Sequence, residues 1–262
     1  MKKIICMVNI FDFRQIAARL SFGVALLTLA HANAYCASNL PPNAELRYQI
    51  KAVQHGIPLS GEAIVKWSSK DESGALRYQI HSETRVILLG KILEARSQGL
   101  LNEQGLAPEK FSEKRLNKPE SSGILDRTSG QVQFSDAANS VRLKGNEQDR
   151  TSVVWQLSWL ARQRNEQFAA GQTHQIWVVG RRDVDLWTLN VVGMEVLQSP
   201  MGAINAVHLT KVQASASKEQ QIDIWLAPRL EWYPAKISFT DADGGHVEQT
   251  LSTIKTLAST HE

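Results

Sequence analysis

Alternation of apolar and polar residues constrains the fold of this chain more than any other sequence feature. Leu46, Tyr48 and Ile50 alternate with polar neighbours, and the same period of two returns in segment after segment. Such a period is typical of β-strands that bury one face and leave the other in water. Turn residues at 56–61 and 70–74 separate the first segments, which predicts an antiparallel meander.

Residues 146–168 depart from this pattern, because their apolar side chains follow a helical period. Asn146 is a good N-cap residue, and Asp149 lies where the helix dipole favours a negative charge. At about 100° per residue, five side chains fall on one apolar arc: Val153, Val154, Leu157, Leu160 and Ala161. We predict one amphipathic helix here.

Trp155 and Trp159 lie four residues apart and point nearly opposite to that arc. One interpretation is that the helix is covered on both sides and that the tryptophans belong to the core, as large aromatic residues usually do. The other is that they line a ligand cavity or form an exposed patch for a partner.

About a dozen strands and one helix predict a mainly β fold. We expect a large antiparallel sheet, curled or shaped as a half-barrel, with the central amphipathic helix packed on it. A sheet of this size does not stay flat, because strand twist curls it. No Pro/Ser-rich linker divides residues 35–262, so we expect them to form a single β-rich domain.

Residues 1–34 have the features of a Sec-type signal peptide. Basic residues precede an apolar core at 20–30 that is too short to span a membrane. Small residues predict cleavage after Ala34, with Ala32 or Ala37 as alternative sites and an uncleaved anchor as a further alternative. We therefore expect a periplasmic protein that has no transmembrane span after cleavage.

The charge of the expected mature chain is balanced. The full chain has 29 Lys and Arg against 26 Asp and Glu, and residues 1–34 hold four of the former and one of the latter. The remaining 25 of each give no net charge, so nucleic acid is not an expected partner. Cys36 is the only cysteine after residue 34, so no internal disulfide is expected.

Motifs that carry chemistry are absent from the sequence. None of the seven histidines lies three or four residues from another, so helical zinc spacing is missing. There is neither a Gly-x-Ser-x-Gly elbow nor a phosphate-binding glycine loop, and residues 241–245 fit a hairpin turn better than a calcium loop. We expect no cofactor, no metal ion and no catalytic activity, with a site assembled from distant strands as the alternative.

Two groups of residues are candidates for a functional site or its support. Residues 86–93 are apolar on both faces, and they form either a fully buried strand or short helix, or a lid or cavity lining. The polar cluster that opens the helix is predicted to anchor it on the sheet: Gln148, Asp149 and Arg150. The candidate ligand-lining residues are Val86, Leu88, Leu89, Leu93, Trp155 and Trp159.

Seven groups of residues, spread over nearly all of the expected mature chain, carry a family resemblance: Leu46-Arg47-Tyr48, Gly61-Glu62-Ala63, Arg96-Ser97-Gln98-Gly99, Gly105-Leu106-Ala107-Pro108 with Phe111 and Arg115, Gln148-Asp149-Arg150, Gly193-Met194-Glu195 with Pro200-Met201-Gly202, and Trp225-Leu226-Ala227-Pro228 with Tyr233-Pro234. In this order they resemble the exported bacterial proteins catalogued as domain of unknown function 3108. The resemblance implies an envelope location and a β-rich fold. It implies no catalytic residue, because the family has no established activity.

These observations favour a non-enzymatic periplasmic protein that holds a lipid-like or other apolar small molecule inside the curled sheet. Periplasmic lipoprotein carriers, which are half-barrels with helical lids, offer an analogy at the level of the fold alone. The alternative is a structural or interaction module that docks on another envelope protein through an exposed sheet face or edge. An interior filled by side chains would favour that alternative.

Overall fold

The computed structural model describes residues 40–137, 139–213 and 220–258. The predicted signal peptide, its cleavage site at Ala34 and Cys36 lie outside these ranges. Within them, fifteen strands, β1 to β15, run in chain order: Ala44–Gln54, Ile57–Glu72, Ala75–Val86, Gly90–Asn102, Gly105–Arg115, Ser121–Asp126, Gln131–Phe134, Val141–Arg142, Gln148–Asp149, Thr173–Val179, Val184–Ser199, Gly202–Lys211, Gln221–Ala227, Tyr233–Thr240 and His246–Thr256. The helix α1 spans Val153–Gln163, and 3-10 turns follow at Asn165–Phe168 and Pro228–Leu230.

All fifteen strands belong to one sheet, and β8 and β9 are its two edges. The first and last long strands pair with each other, so β1 lies between β2 and β15. Every pairing is antiparallel except the short one between β9 and β10. The sheet is not closed into a barrel. The predicted mainly β fold with one helix packed on a large curled sheet is confirmed, and the parallel pair is its only departure from the antiparallel prediction within the described ranges.

The two faces of the sheet follow the alternation in the sequence. On β1, Leu46, Tyr48 and Ile50 are buried, whereas Arg47 and Gln49 are exposed. We call the face that carries Leu46 the inner face, because α1 packs against it. Tyr48 donates a hydrogen bond from its hydroxyl to the Pro234 carbonyl at 3.0 Å, and burial raises the pKa of the Tyr48 hydroxyl far above its ordinary value.

Helix α1 is covered on two opposite sides by the two halves of the sheet. Trp155 and Trp159 are buried in a cluster with side chains of β1 to β5, and the Trp155 ring stacks on Trp67 with centroids 4.6 Å apart. On the other side, Val153 and Leu157 pack against β10 to β13. The tryptophans therefore belong to the core, as the first of the two interpretations has it.

The two ends of the sheet meet through side chains rather than through a strand ladder. Val179 on β10 packs against Leu125, Val132 and Phe134 on β6 and β7. Nearby, Arg181 and Arg182 both approach Asp136, at 3.4 and 3.3 Å. These contacts hold the sheet in a rolled shape around α1.

The predicted start of the helix at Asn146 is wrong. Asn146 has a left-handed φ of 56°, and α1 begins seven residues later at Val153. Gln148 and Asp149 instead form β9, because distant groups satisfy their side chains. Ser97 Oγ donates to Asp149 Oδ2 at 2.5 Å, and Gln148 Nε2 donates to the Leu106 carbonyl at 2.6 Å. Helix propensity yields to such tertiary contacts.

Asp149 satisfies the free amides at the start of α1 in place of the predicted Asn146 cap. Its Oδ1 accepts from the backbone N–H groups of Thr151 at 2.8 Å and Ser152 at 3.0 Å. The carboxylate is fully buried, and this burial raises its pKa despite the hydrogen bonds that oppose the shift. Arg150, the third member of the predicted anchor, is exposed.

A glutamine that sequence reasoning missed holds the β4–β5 hairpin to the helix. Gln156 Oε1 accepts from the Leu106 N–H, and its Nε2 donates to the Gln104 carbonyl, both at 2.8 Å. Gly105 lies directly beneath this amide with a φ of 100°, and a Cβ there would come within 2.3 Å of Gln156 Oε1. Glycine is therefore required at the point where the helix and the hairpin meet.

Replacing Asp149 tests whether it anchors the helix. We expect Asp149→Ala to lower the free energy of unfolding by about 3 kcal/mol, because Ser97 and two amides lose their buried acceptor. Asp149→Asn keeps an acceptor for the amides, so it should lower the free energy of unfolding by less than half as much. Urea denaturation at pH 7 measures both. Wild-type stability in the alanine variant would refute the anchoring role.

Replacing Trp155 tests the core assignment. We expect Trp155→Ala to lower the free energy of unfolding by about 3–5 kcal/mol, because the ring fills space between Trp67 and Tyr233. Trp177→Ala is the matched control. Trp177 on β10 is only half-buried, so its replacement should lower the free energy of unfolding clearly less. Equal losses in the two variants would contradict the assignment.

Candidate functional site at the open end of the sheet

Residues 86–93 form the end of β3, a tight turn and the start of β4. The Leu89 N–H donates to the Val86 carbonyl at 3.2 Å, which closes a β-turn at Ile87 and Leu88. Val86 is 5% exposed, but Leu88 is 100% exposed. The interpretation as a fully buried strand or short helix is therefore wrong. It failed because the turn is built from aliphatic residues instead of the usual Asn, Asp or Pro.

Apolar side chains continue along the inner face beyond the residues that α1 covers. Helix α1 has 11 residues and is about 16 Å long, whereas β2 has 16 residues and is about 53 Å long. The helix can therefore cover only part of the inner face. Past Ile50 and Ile80, the inner-face residues Ala52 and Ser82 are half-buried, whereas Thr84 and Val86 farther along β3 are buried again.

We call this uncovered part of the inner face the trough. Strand pairing places its residues side by side, since Ala52 pairs with both Leu59 and Val247, and Thr84 pairs with Leu93. The trough is lined by Leu59, Val86, Leu93, Phe239 and Val247. Val86 and Thr84 are buried in its floor, whereas Leu59, Leu93, Phe239 and Val247 are half-buried along its length. Together with Ala52, these residues place apolar side chains on six adjacent strands of the inner face, which also carries Gln54, Ser82 and Gln249.

One polar atom lies in the floor of the trough without a partner. Thr84 is 5% exposed, and its Oγ1 has no hydrogen-bond partner within the described residues. A buried hydroxyl that lacks a partner is destabilising, so native proteins usually pair it. Thr84 Oγ1 is therefore a buried polar atom without a compensating hydrogen bond at the trough.

The structure does not bring the predicted ligand-lining residues together. Val86 and Leu93 line the trough, and Trp155 and Trp159 are packed in the core. Leu88 and Leu89 lie on the outside of the turn that borders the trough. Sequence reasoning missed Leu59, Phe239 and Val247. Their place in the alternation assigns them to a buried face, but only the pairing of β1 with β15 places Phe239 and Val247 on the same surface as Leu59.

Exposed aliphatic residues project from three neighbouring hairpin ends at the border of the trough. We call them the apolar tip: Ile57, Ile87, Leu88, Leu89 and Leu116. Ile57 is 61% exposed and Ile87 is 66% exposed. The Ile87 N–H donates to the Ser60 carbonyl at 2.9 Å, and the Leu116 N–H donates to the Ile92 carbonyl at 2.8 Å. These hydrogen bonds join the three hairpin ends into one apolar surface.

A second cluster of functional side chains lies on the outer face of β11, β12 and β13. His208 contacts two carboxylates, Glu195 Oε1 through Nδ1 at 2.8 Å and Asp223 Oδ1 through Nε2 at 2.9 Å. The imidazole stacks on Trp225 with centroids 4.3 Å apart, and Trp225 Nε1 donates to Glu195 Oε2 at 2.8 Å. The ammonium group of Lys236 lies over the Trp225 ring, 4.8 Å from the ring centre.

This cluster is built to hold a charged histidine. Partial burial disfavours the imidazolium, but the hydrogen bonds to Asp223 and Glu195 outweigh burial and raise the pKa of His208 above its ordinary value of 6.5. Both ring nitrogens are occupied by carboxylates, so neither is free to accept a proton from a substrate. The arrangement ties three strands together and does not resemble a catalytic pair.

The described residues contain neither a candidate metal site nor a helix that could span a membrane. No group of three or more His, Cys, Asp or Glu side chains there could hold a metal ion. Helix α1 and the two 3-10 turns are too short and too polar to cross a membrane, and no other helix occurs in the described ranges.

A large rolled sheet with one enclosed helix and an apolar open end defines a β-rich protein. The chain belongs to the DUF3108 family, a protein family of unknown function, whose model matches residues 47–252. The family predicted from the ordered motifs is thus confirmed. A comparison with curated proteins finds no match.

Among solved structures, the chain is similar to the crystal structure of a DUF1329 family protein from Desulfovibrio piger. The sequences are 8% identical, and the match covers 89% of this chain and 94% of that one with a TM-score of 0.27. A score this low supports no inference about function.

The charged histidine predicts a pH dependence of stability. Because the pKa of His208 is raised on folding, its stabilisation is complete below pH 6.5 and is lost as the pH rises through the raised pKa. The pKa values of Glu195 and Asp223 are lowered on folding. The stabilisation that these two carboxylates contribute is therefore lost only as the pH falls below their ordinary pKa values of 4.5 and 3.8. The cluster therefore stabilises most between pH 4.5 and 6.5.

Thermal unfolding of His208→Gln at pH 5.5 and pH 8.5 measures this effect. We expect the wild type to exceed the variant in Tm at pH 5.5, and the difference to shrink at pH 8.5. The contribution is about 1 kcal/mol or less, since the cluster is partly exposed. His55→Gln, at the exposed β1–β2 turn, is the control and should show no such pH dependence. A difference that grows with pH would contradict the assignment.

Proposed function

We propose that this protein is a non-enzymatic, exported protein of the cell envelope that binds a lipid-like or other apolar molecule in the trough. The single observation that carries the proposal is the apolar inner face that continues past the end of α1. Soluble proteins rarely leave so extended an apolar surface in contact with water unless something binds there. The signal-like residues 1–34 support export to the periplasm.

The position of the proposed site follows from packing inside the roll. Trp155 and Trp159 are 3% and 2% exposed and fill the interior around α1 with their neighbours. A ligand between them would require the core to open. The trough needs no such change, because Leu59, Leu93, Phe239 and Val247 are already half-exposed.

The chemistry of the trough indicates the class of ligand. Aliphatic and aromatic side chains suit a hydrocarbon chain, and each methylene buried there contributes about 0.8 kcal/mol. Thr84 Oγ1 supplies one hydrogen bond in an otherwise apolar floor. A single-chain amphiphile, with one polar group near Thr84 and its chain along Leu59 and Val247, satisfies both features. The aliphatic and aromatic side chains of the trough favour binding of a ligand over proton transfer.

The filled interior around α1 favours a second candidate function, a module that docks on another envelope protein. In that case the apolar end of the sheet would be covered by the partner and not by a small molecule. The two functions differ in whether the purified protein holds an apolar molecule.

Native mass spectrometry on protein exported to a bacterial periplasm and purified without detergent tests the proposal. We expect a stoichiometric added mass that organic solvent releases as an amphiphile. Leu59→Gln and Leu93→Gln should each lower its occupancy at least about fivefold, because a polar side chain removes apolar contact area. Val196→Gln, on an exposed part of β11 away from the trough, is the matched control and should keep it.

Thr84→Val gives a second readout that separates binding from folding. Removing an unpaired buried hydroxyl should raise the free energy of unfolding of the ligand-free protein by about 1 kcal/mol, whereas it should weaken binding of a fatty-acid probe. A wild-type protein that carries no added mass and binds no fatty-acid probe would overturn the proposal. Crosslinking in the periplasm would then test the docking module.

A further inference from the structure

Leu88 is the residue that local rules explain least. Its φ is 71°, the left-handed region that L residues other than Gly, Asn and Asp rarely adopt. It occupies the third position of the β-turn at Val86–Leu89, where this conformation normally selects glycine. Its side chain is also 100% exposed, so no contact within the protein compensates for either cost.

Comparison with the other left-handed turn positions makes Leu88 distinct. Six other non-glycine residues in the described ranges have positive φ values. Five are exposed and polar, His55, Ser73, Asn117, Asn146 and Glu231, and the sixth, Trp232, is partly buried against Phe168. At Leu88 both flanking residues, Ile87 and Leu89, are exposed aliphatics as well. Positions that break local rules without an internal gain are typical of functional surfaces. The compensation for Leu88 therefore lies outside the molecule.

Acidic and basic residues are unevenly distributed around the apolar tip. The turn segments 53–58 and 86–90 contain no acidic residue, and the β5–β6 connection at 116–120 contains one, the exposed Glu120. Exposed lysines lie within or close to these segments: Lys51, Lys114, Lys118 and Lys91, of which Lys91 is ion-paired with Glu94 at 2.6 Å. Two nearby carboxylates are ion-paired, since Glu83 contacts Arg85 at 2.6 Å and Glu113 contacts Arg115 at 2.5 Å.

We propose that the apolar tip docks on a lipid bilayer, with its aliphatic side chains below the headgroups and the lysines among the phosphates. Aliphatic residues at the extremity and lysines set back from it match the layers of a membrane interface. A protein partner would instead call for aromatic and arginine anchors, which the tip lacks. Docking does not depend on whether the trough holds a ligand, so it goes beyond the proposed function.

Vesicle co-sedimentation tests the docking. The protein is mixed with vesicles of phosphatidylcholine, with or without one quarter phosphatidylglycerol, at low salt. We expect sedimentation with the anionic vesicles and weaker sedimentation with the neutral ones, because the lysines favour anionic headgroups. Leu88→Gly should lower the partition coefficient about tenfold, through the lost insertion of one leucine side chain.

The design separates docking from folding. Leu88→Gly places glycine where the turn prefers it, so its Tm should equal or exceed that of the wild type. Ser73→Gly is the matched control, because it relieves a φ of 55° in the β2–β3 turn at the opposite end of the hairpins. Ser73→Gly should leave vesicle binding unchanged.

Three results would overturn the proposal, two of them from the vesicle experiment. One is a wild-type protein that sediments with neither vesicle, and the other is equal binding by the wild type and Leu88→Gly. Sedimentation velocity without vesicles provides a further check. Self-association that Leu88→Gly abolishes, without vesicle binding, would assign the tip to a contact between copies of this chain and would also overturn the proposal.

Discussion

The structure depends on one short helix that is buried between the two halves of a single sheet. An isolated helix of 11 residues is marginal in water, so α1 is stable only through its packing. The inner face, in turn, is covered where α1 lies against it, with Trp155 stacked on Trp67. Because the strands are longer than this helix, the packing that forms the core leaves the trough uncovered.

Buried polar groups determine how the helix sits in the roll. Asp149, Gln148 and Gln156 bond to Ser97, Leu106 and Gln104, which belong to β4, β5 and their hairpin. These bonds have direction, unlike the contacts of aliphatic side chains, so they select one placement of the helix. Thr84 contrasts with them, since its hydroxyl is equally buried and unpaired. Thr84 Oγ1 is one of six buried side-chain atoms without a partner in the described residues, and Gln148 Oε1 beside the helix is another.

Much of the fold was predictable from the sequence, but the candidate site was predictable only in part. The period of two located the strands around Leu46 and Leu209, and the helical period located α1. The prediction that the helix starts at Asn146 was wrong, because the partners of Gln148 and Asp149 lie about 40 to 50 residues away. Val86 and Leu93 were found by their apolar run, whereas Leu59, Phe239 and Val247 carry no local signal that separates them from ordinary core residues.

The sequence by itself determined which residues turn inward, which family the chain belongs to and that one helix interrupts many strands. These properties follow from side-chain periodicity and motif order, which are local. Only the tertiary structure decided that β1 pairs with β15, that both tryptophans are enclosed, and that Leu88 stands fully exposed beside the trough. The reason is physical: strand pairing and the reach of α1 depend on contacts between residues up to about 200 positions apart.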